Sequence, residues 1–267
     1  VPELPDVEAF RGILASCAQG RLIRRTEVYD AGVLHGVSAR RLRRELTGRR
    51  FAEPERRGKW LLAHTDGPTV LLHFGMTGEL VCAGPADPPH AHDRVVFTVG
   101  RDRQLRYRDQ RKLQGLWLVD EAGLDRMLCD QGPDAATVTR KTLEAVLAGR
   151  RGSLKSVLMD QSALAGLGNL LVDEILWRAR LHPARRAGAL SADECGRLYT
   201  ELRRTLRSAV RAGRVPPRRS WLTGRRDGPG ATCPRCGATL CRKRLAGRGT
   251  VWCPRCQPGR TGGGDGA

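Results

Sequence analysis

The chain has 267 residues, enough for two domains with cores of their own. Its 47 Lys and Arg outweigh 28 Asp and Glu to give a formal charge of +19, while 40% hydrophobic residues suffice for a folded protein. No stretch approaches the roughly 18 apolar residues of a membrane span, and the acidic start lacks an apolar signal core. A membrane or secreted protein is therefore not expected, and the cytoplasm, in association with the nucleoid, is.

The charge is unevenly placed. Residues 1–140 carry 22 Lys and Arg against 19 Asp and Glu, whereas residues 141–267 carry 25 against 9. A concentrated cationic half is the electrostatic footprint of a nucleic-acid binder. With 4% aromatic residues there is little to stack on unpaired bases, so duplex DNA is the expected partner. The only lysines are Lys59, Lys112, Lys141, Lys155 and Lys243. Arginine stays protonated and lysine can exchange its proton where its pKa is shifted, which singles out Lys59 for a site needing a titratable ammonium.

The chain opens Val1-Pro2-Glu3. A valine at position 1 matches a GTG start codon translated literally, and the mature chain is expected to begin at Pro2. That would expose a secondary amine, partly neutral near pH 7 because an α-amino group titrates at about 7.7–8.0. Such amines attack sugar carbons to form Schiff bases, and Glu3 is placed beside it for proton transfer. Residues 5–18 have helical spacing, with Val7, Phe10, Ile13 and Leu14 on one face. From about 21 to 118 the chain reads as short strands, among them 61–64, 70–74 and 94–99, separated by turn signals such as Asp66-Gly67-Pro68 and Thr77-Gly78.

Asp130-Gln131-Gly132-Pro133-Asp134 marks a linker, beyond which the period becomes helical. Helices are predicted near 138–148, 153–161, 169–180 and 191–212, the last with Leu198, Leu202, Leu206 and Val210 at four-residue steps. Gly166 and Gly168 permit a tight turn before the third of these, whose free amides form an anion site. The resulting division is 1–131, 132–230, 231–258 and a disordered Gly-rich tail over 259–267.

Cys233-Pro-Arg-Cys236 and Cys253-Pro-Arg-Cys256 are two CxxC pairs, a spacing that closes four thiolates around one structural Zn2+. No organic cofactor is expected. Between them runs a basic hairpin tip suited to phosphate contact, Arg242 to Thr250. Cys17, Cys82, Cys129, Cys195 and Cys241 lack such spacing and read as plain thiols. His90, His92 and Asp93 lack further ligands and are not read as a second metal site.

Five motifs, in order, resemble the formamidopyrimidine-DNA glycosylase and endonuclease VIII family: Pro2 to Glu8, Arg56 to Leu61, His73 to Gly78, Leu154 to Pro183 and the cysteine finger. The resemblance runs from Pro2 to Gln257. It implies an α+β fold with an N-terminal β-sandwich, a helical helix–two-turn–helix domain, a zinc-finger hairpin, and damaged duplex DNA held between the domains by a monomer. It implies that Pro2 attacks C1′, Glu3 shuttles protons, Lys59 assists and Arg248 supports the second elimination. Met76, Arg111 and Leu113 would wedge into the stack vacated by the flipped nucleotide. His73, His92, Arg151 and Asn169 would contact the DNA. The expected enzyme is thus a bifunctional glycosylase and abasic-site lyase of base-excision repair. Leu113 stands where the purine-lesion branch carries phenylalanine, Asp6 replaces a glutamate, and the 213–232 segment is short. The first implies weaker stacking there, and the other two departures lean towards oxidised pyrimidines, ring-opened bases or abasic sites. Alternatives are an 8-oxoguanine and formamidopyrimidine enzyme, or a silent binder of damaged DNA.

Overall fold

The computed structural model describes residues 1–245 and 247–259. The chain divides into two compact units, the first Val1–Asp130 and the second beginning at Gln131. The predicted disordered tail falls largely outside the described residues.

The first unit opens with α1 (Leu4–Ala18), and Pro5 in its first turn costs no intrahelical hydrogen bond. Strands β1 (Ile23–Val28) and β2 (Leu34–His35) lead to α2 (Ala39–Leu46). Then follow β3 (Glu55–Arg57), β4 (Trp60–Ala63), β5 (Thr69–His73), β6 (Glu79–Ala83), β7 (Asp93–Val99), β8 (Arg103–Arg108), β9 (Leu116–Val119) and α3 (Glu121–Leu128). A four-stranded sheet has the order β1-β7-β8-β6, and a five-stranded one β2-β9-β5-β4-β3. Pairing is antiparallel except for β2 with β9.

One core joins the sheets and α1. Phe97 and Val99 of β7, Leu61 of β4, Leu72 of β5, and Val7 and Leu14 of the helix all lie in it. Each such side chain contributes about 1.5–3 kcal/mol on burial. Phe10 and Ile13 pack at its margin, so the predicted helix face is the face that is buried.

Two helices were not expected in this region. The α2 segment, Ala-Arg-Arg-Leu-Arg-Arg-Glu-Leu, buries only Leu42 and Leu46, and its arginines hide the period. Its signal was the cap, for the Ser38 hydroxyl accepts the Arg41 N–H at 3.2 Å. Asp120 caps α3 in the same way.

A second correction concerns the cysteines. Cys17 at the end of α1 is disulfide-bonded to Cys82 on β6, where plain thiols were expected. The partners are 65 residues apart, and only the packing of α1 on β6 reveals them.

The second unit contains α4 (Arg140–Ala148), α5 (Leu154–Met159), α6 (Asn169–Ala179), α7 (Ala192–Arg211) and an antiparallel hairpin of β10 (Cys241–Leu245) and β11 (Arg248–Trp252). Thr139, Ser153 and Ser191 cap α4, α5 and α7 through their hydroxyls. Leu198, Leu202 and Leu206 of α7 are buried, and Val210 is half-buried. No helix among the described residues is long and apolar enough to cross a membrane.

Candidate functional site

In the first unit, Pro2 and Glu3 stand at the head of α1. Glu3 is the N-cap, only 1% exposed, while Val1 is 67% exposed. The Asp6 carboxylate accepts the Glu3 N–H at 2.9 Å and fixes how the chain enters the helix. A buried carboxylate thus lies next to the Pro2 nitrogen by covalent necessity.

Lys59 occupies the two-residue turn between β3 and β4. Gly58 precedes it with φ +57°, a backbone region open to glycine at little cost. Arg56 holds this turn from below: its guanidinium donates to the Gly58 carbonyl at 3.0 Å and to Glu8 of α1 at 2.9 Å. Glu8 also accepts from Arg11 at 2.7 Å. Burial raises the Glu8 pKa, yet Arg11 and Arg56 together hold it below the ordinary carboxylate range. The Glu8–Arg56–Gly58 chain therefore ties the lysine turn to the helix that begins at Pro2. Sequence reading missed it, because Arg56 looks like one more solvated arginine.

His73 ends β5 opposite Trp60. Its Nδ1 accepts the Gly75 N–H at 3.1 Å, so in the neutral ring the proton sits on Nε2. Burial, and the nearby Lys59 charge, push its pKa down to about 4. At neutral pH it can offer a phosphate an N–H but no charge.

Two loops form the rim that carries the predicted wedges. Met76 and Leu113 are 37% and 49% exposed, two of the few large apolar side chains left to solvent. The loops are laced through Asp109, itself 1% exposed. Asp109 accepts from the Thr77 hydroxyl at 2.5 Å and from the Arg111 N–H at 3.0 Å. Its own N–H donates to the His92 carbonyl at 3.0 Å. The Arg111 guanidinium reaches the Met76 sulfur at 3.0 Å. A Cβ at Gly78 would collide with the Phe74 carbonyl, so the tight first loop requires that glycine. Met76, His92 and Arg111 are thereby brought together, with Leu113 two residues beyond; Thr77 and Asp109 are the organisers that sequence reading missed.

In the second unit, Asn169 is the first residue of α6 behind the N-cap Gly168. The turn before it is held by Gln161, which donates to the Leu167 carbonyl at 3.0 Å and accepts from the Gly166 N–H at 3.0 Å. Asn169 donates to the Gly249 carbonyl of the finger at 3.1 Å, and its own Oδ1 is buried without a hydrogen-bond partner. Arg151 is exposed just ahead of α5, and Arg248 is exposed at the start of β11. Ala246 lies outside the described residues.

The sulfur atoms of Cys233, Cys236, Cys253 and Cys256 all lie within 4.8 Å of one another. Four thiolates about 2.3 Å from one zinc would stand about 3.8 Å apart, and Cys233 and Cys256 are separated by 3.9 Å. Burial opposes ionisation of Cys233, but the N–H groups of Arg235, Cys236 and the Trp177 indole bring its pKa down to about 7. Burial and the neighbouring thiols push Cys253 up to about 12. A dication relieves that conflict, and the four donors fit one Zn2+ with no open position. Among the described residues this is the one group of His, Cys, Asp and Glu gathered to hold a metal.

The two-sheet unit, the helical unit and the four-cysteine finger each match a pattern found in DNA glycosylases. The family pattern described as the formamidopyrimidine-DNA glycosylase N-terminal domain matches residues 1–116. The H2TH domain of the same enzymes matches 130–218, and the zinc finger found in FPG and IleRS matches 230–259. The formamidopyrimidine-DNA glycosylase of Thermomicrobium roseum is 39% identical, over 97% of this chain and 99% of its own length. That of Symbiobacterium thermophilum is 38% identical, over 97% and 90%. Lactococcus lactis Fpg bound to abasic-site DNA superposes with a TM-score of 0.86 at 29% identity, covering 97% of this chain and 100% of that one. The same protein has been solved with DNA containing FAPY-dG and with DNA containing an oxidised pyrimidine.

The chain belongs to the formamidopyrimidine-DNA glycosylase family. It is a base-excision-repair glycosylase with abasic-site lyase activity.

Proposed function

We propose that the chain excises ring-opened purines, the formamidopyrimidines, from duplex DNA and then cuts the strand at the abasic site. Pro2, freed of Val1, attacks C1′ and the base departs, leaving an iminium on the sugar. Glu3 carries protons during base loss and ring opening, and Lys59 assists from its turn. Loss of the C2′ proton then breaks the C3′–O bond, and Arg248 supports the second elimination. Met76, Arg111 and Leu113 fill the space left by the extruded nucleotide, whose extrusion costs a few kcal/mol. His73, His92, Arg151 and Asn169 hold phosphates, which positions C1′ against the amine and supplies much of the rate advantage. The finger's zinc is structural. The enzyme works as a monomer on nucleoid DNA.

The observation that carries this reading is the Glu8–Arg56–Gly58 chain, which ties the Lys59 turn to the helix headed by Pro2 and buried Glu3. The relatives' names favour the formamidopyrimidine alternative over the sequence's broader lean towards oxidised pyrimidines, ring-opened bases or abasic sites.

One observation favours the pyrimidine reading. The short segment after α7 is pinned, with the Thr223 N–H donating to Glu174 at 3.1 Å and Arg242 donating to the Arg226 and Gly228 carbonyls. Single-turnover excision from matched duplexes carrying FAPY-dG, 8-oxoguanine or an oxidised pyrimidine decides between them. FAPY-dG should be released fastest. A faster oxidised pyrimidine would overturn the preference and leave the lyase reading standing.

A further inference from the structure

Helix α6 carries a carboxylate that the reaction outlined above does not use. Asp173 is 1% exposed, and one of its oxygens accepts from Lys155 at 2.7 Å. Both of those side chains are fully buried. Its other oxygen accepts the Val251 N–H at 3.2 Å and faces the Arg226 guanidinium at 3.0 Å. Burial raises the Asp173 pKa, and the two cations oppose that rise.

A buried ion cluster of this kind adds little net stability, because desolvation offsets most of the attraction. What it can do is fix geometry. Lys155 also donates to the Gly249 carbonyl at 3.3 Å, and Asn169 donates to that same oxygen at 3.1 Å. The backbone of β11 is therefore held at Gly249 and at Val251, on both sides of buried Thr250. Arg248 is the residue before the first of these anchors. Its side chain is exposed, but its main chain has a fixed starting point. Arg226 brings the segment before the finger into the same cluster.

We propose that Asp173 is a positioning residue for Arg248: through Lys155, Val251 and Arg226 it sets where the finger arginine stands against the DNA. The inference rests on the reading of Arg248 as the residue supporting the second elimination. In that step a base removes the C4′ proton, the electron pair shifts through the conjugated system, and the C5′–O bond breaks with the pair leaving on the phosphate. Displacing a supporting group by about 1 Å can cost about 100-fold. Base loss and the first elimination are assigned to Pro2, Glu3 and Lys59, so they should be less sensitive to where Arg248 stands.

The test uses full-length, zinc-loaded protein on an abasic-site duplex. Asp173→Asn keeps the size and one acceptor but removes the charge that holds Lys155 and Arg226. It should trap covalently with borohydride at a rate within about 3-fold of the parent. Its yield of the 3′-phosphate product relative to the 3′-unsaturated aldehyde should fall by about 5-fold or more, towards that of Arg248→Ala. An unchanged product ratio overturns the proposal, as does an equal loss of trapping and of the second elimination. If Asp173→Asn does not fold or retain zinc, Arg226→Met decides, since it leaves the Lys155–Asp173 pair intact. It should shift the ratio in the same direction by about 2-fold, and no shift overturns the proposal. If Arg248→Ala keeps the parent's ratio, the reading of Arg248 fails and this inference falls with it. A parent that does not trap at all instead sinks the lyase reading of Pro2.

Discussion

Asp6 accepts the backbone N–H of Glu3 at 2.9 Å, so the residue three places into the helix determines how Glu3 is presented. A capping contact of this type is worth about 0.5–2 kcal/mol. Asp6→Ala should lower unfolding free energy by that amount in urea titrations. It should also slow borohydride trapping, because Glu3 loses its fixed entry angle. Unchanged trapping alongside lowered stability would mean that the Asp6 contact is not what presents Glu3.

Arg56 is expected to matter to chemistry although it touches no DNA in this account. Its side chain is 8% exposed and holds Glu8 and the Gly58 carbonyl together. Arg56→Ala should cost about 3 kcal/mol, because it leaves a partly buried carboxylate with one partner fewer. Strand cleavage should fall as it does for Lys59→Ala, since the lysine turn is no longer tied to α1. Thermal melting with single-turnover cleavage checks both.

Thr77→Val tests the lacing of the wedge rim. The change preserves shape but removes the hydroxyl that donates to Asp109. It should cost about 1 kcal/mol, because the buried carboxylate loses one partner and keeps the Arg111 N–H. Base excision should slow while trapping at a pre-formed abasic site changes less, because an abasic nucleotide has no base to unstack on extrusion. A 2-aminopurine reporter opposite the lesion would show the slower extrusion directly.

His73 supplies a pH prediction. Its pKa is about 4 in the folded chain against 6.5 for an unperturbed histidine. Above pH 6.5 the ring is neutral in both states and contributes nothing. As pH falls from 6.5 towards 4 the unfolded chain takes up a proton that the folded chain refuses. Stability drops over that window by at most about 3 kcal/mol. Glu8, whose pKa is depressed, adds a loss at lower pH. Urea titrations of the parent and His73→Gln should diverge between pH 6.5 and 4 and run parallel above it.

Much of this was legible in the chain. Leucines at four-residue steps announced α7, and Val7 and Leu14 announced the buried face of α1. The cysteine spacing announced the finger, because metal geometry constrains local sequence tightly. The Asp109 lacing, the Glu8–Arg56 tie and the Asp173 cluster were not legible. Each joins residues far apart in sequence, such as Thr77 with Asp109 or Lys155 with Gly249, and an abundance of arginine masks the few that are buried. The scarcity of lysine was the usable hint. It pointed to Lys59, and Lys155, equally rare, proved to be fully buried and paired.

The central claim is that the imino nitrogen of Pro2 is the nucleophile. Borohydride reduction on an abasic-site duplex, followed by peptide mass mapping of the adduct, tests it most directly. The account predicts that the sugar remnant sits on a peptide that begins at Pro2. An adduct carried by Lys59, or by a peptide that still retains Val1, would contradict it.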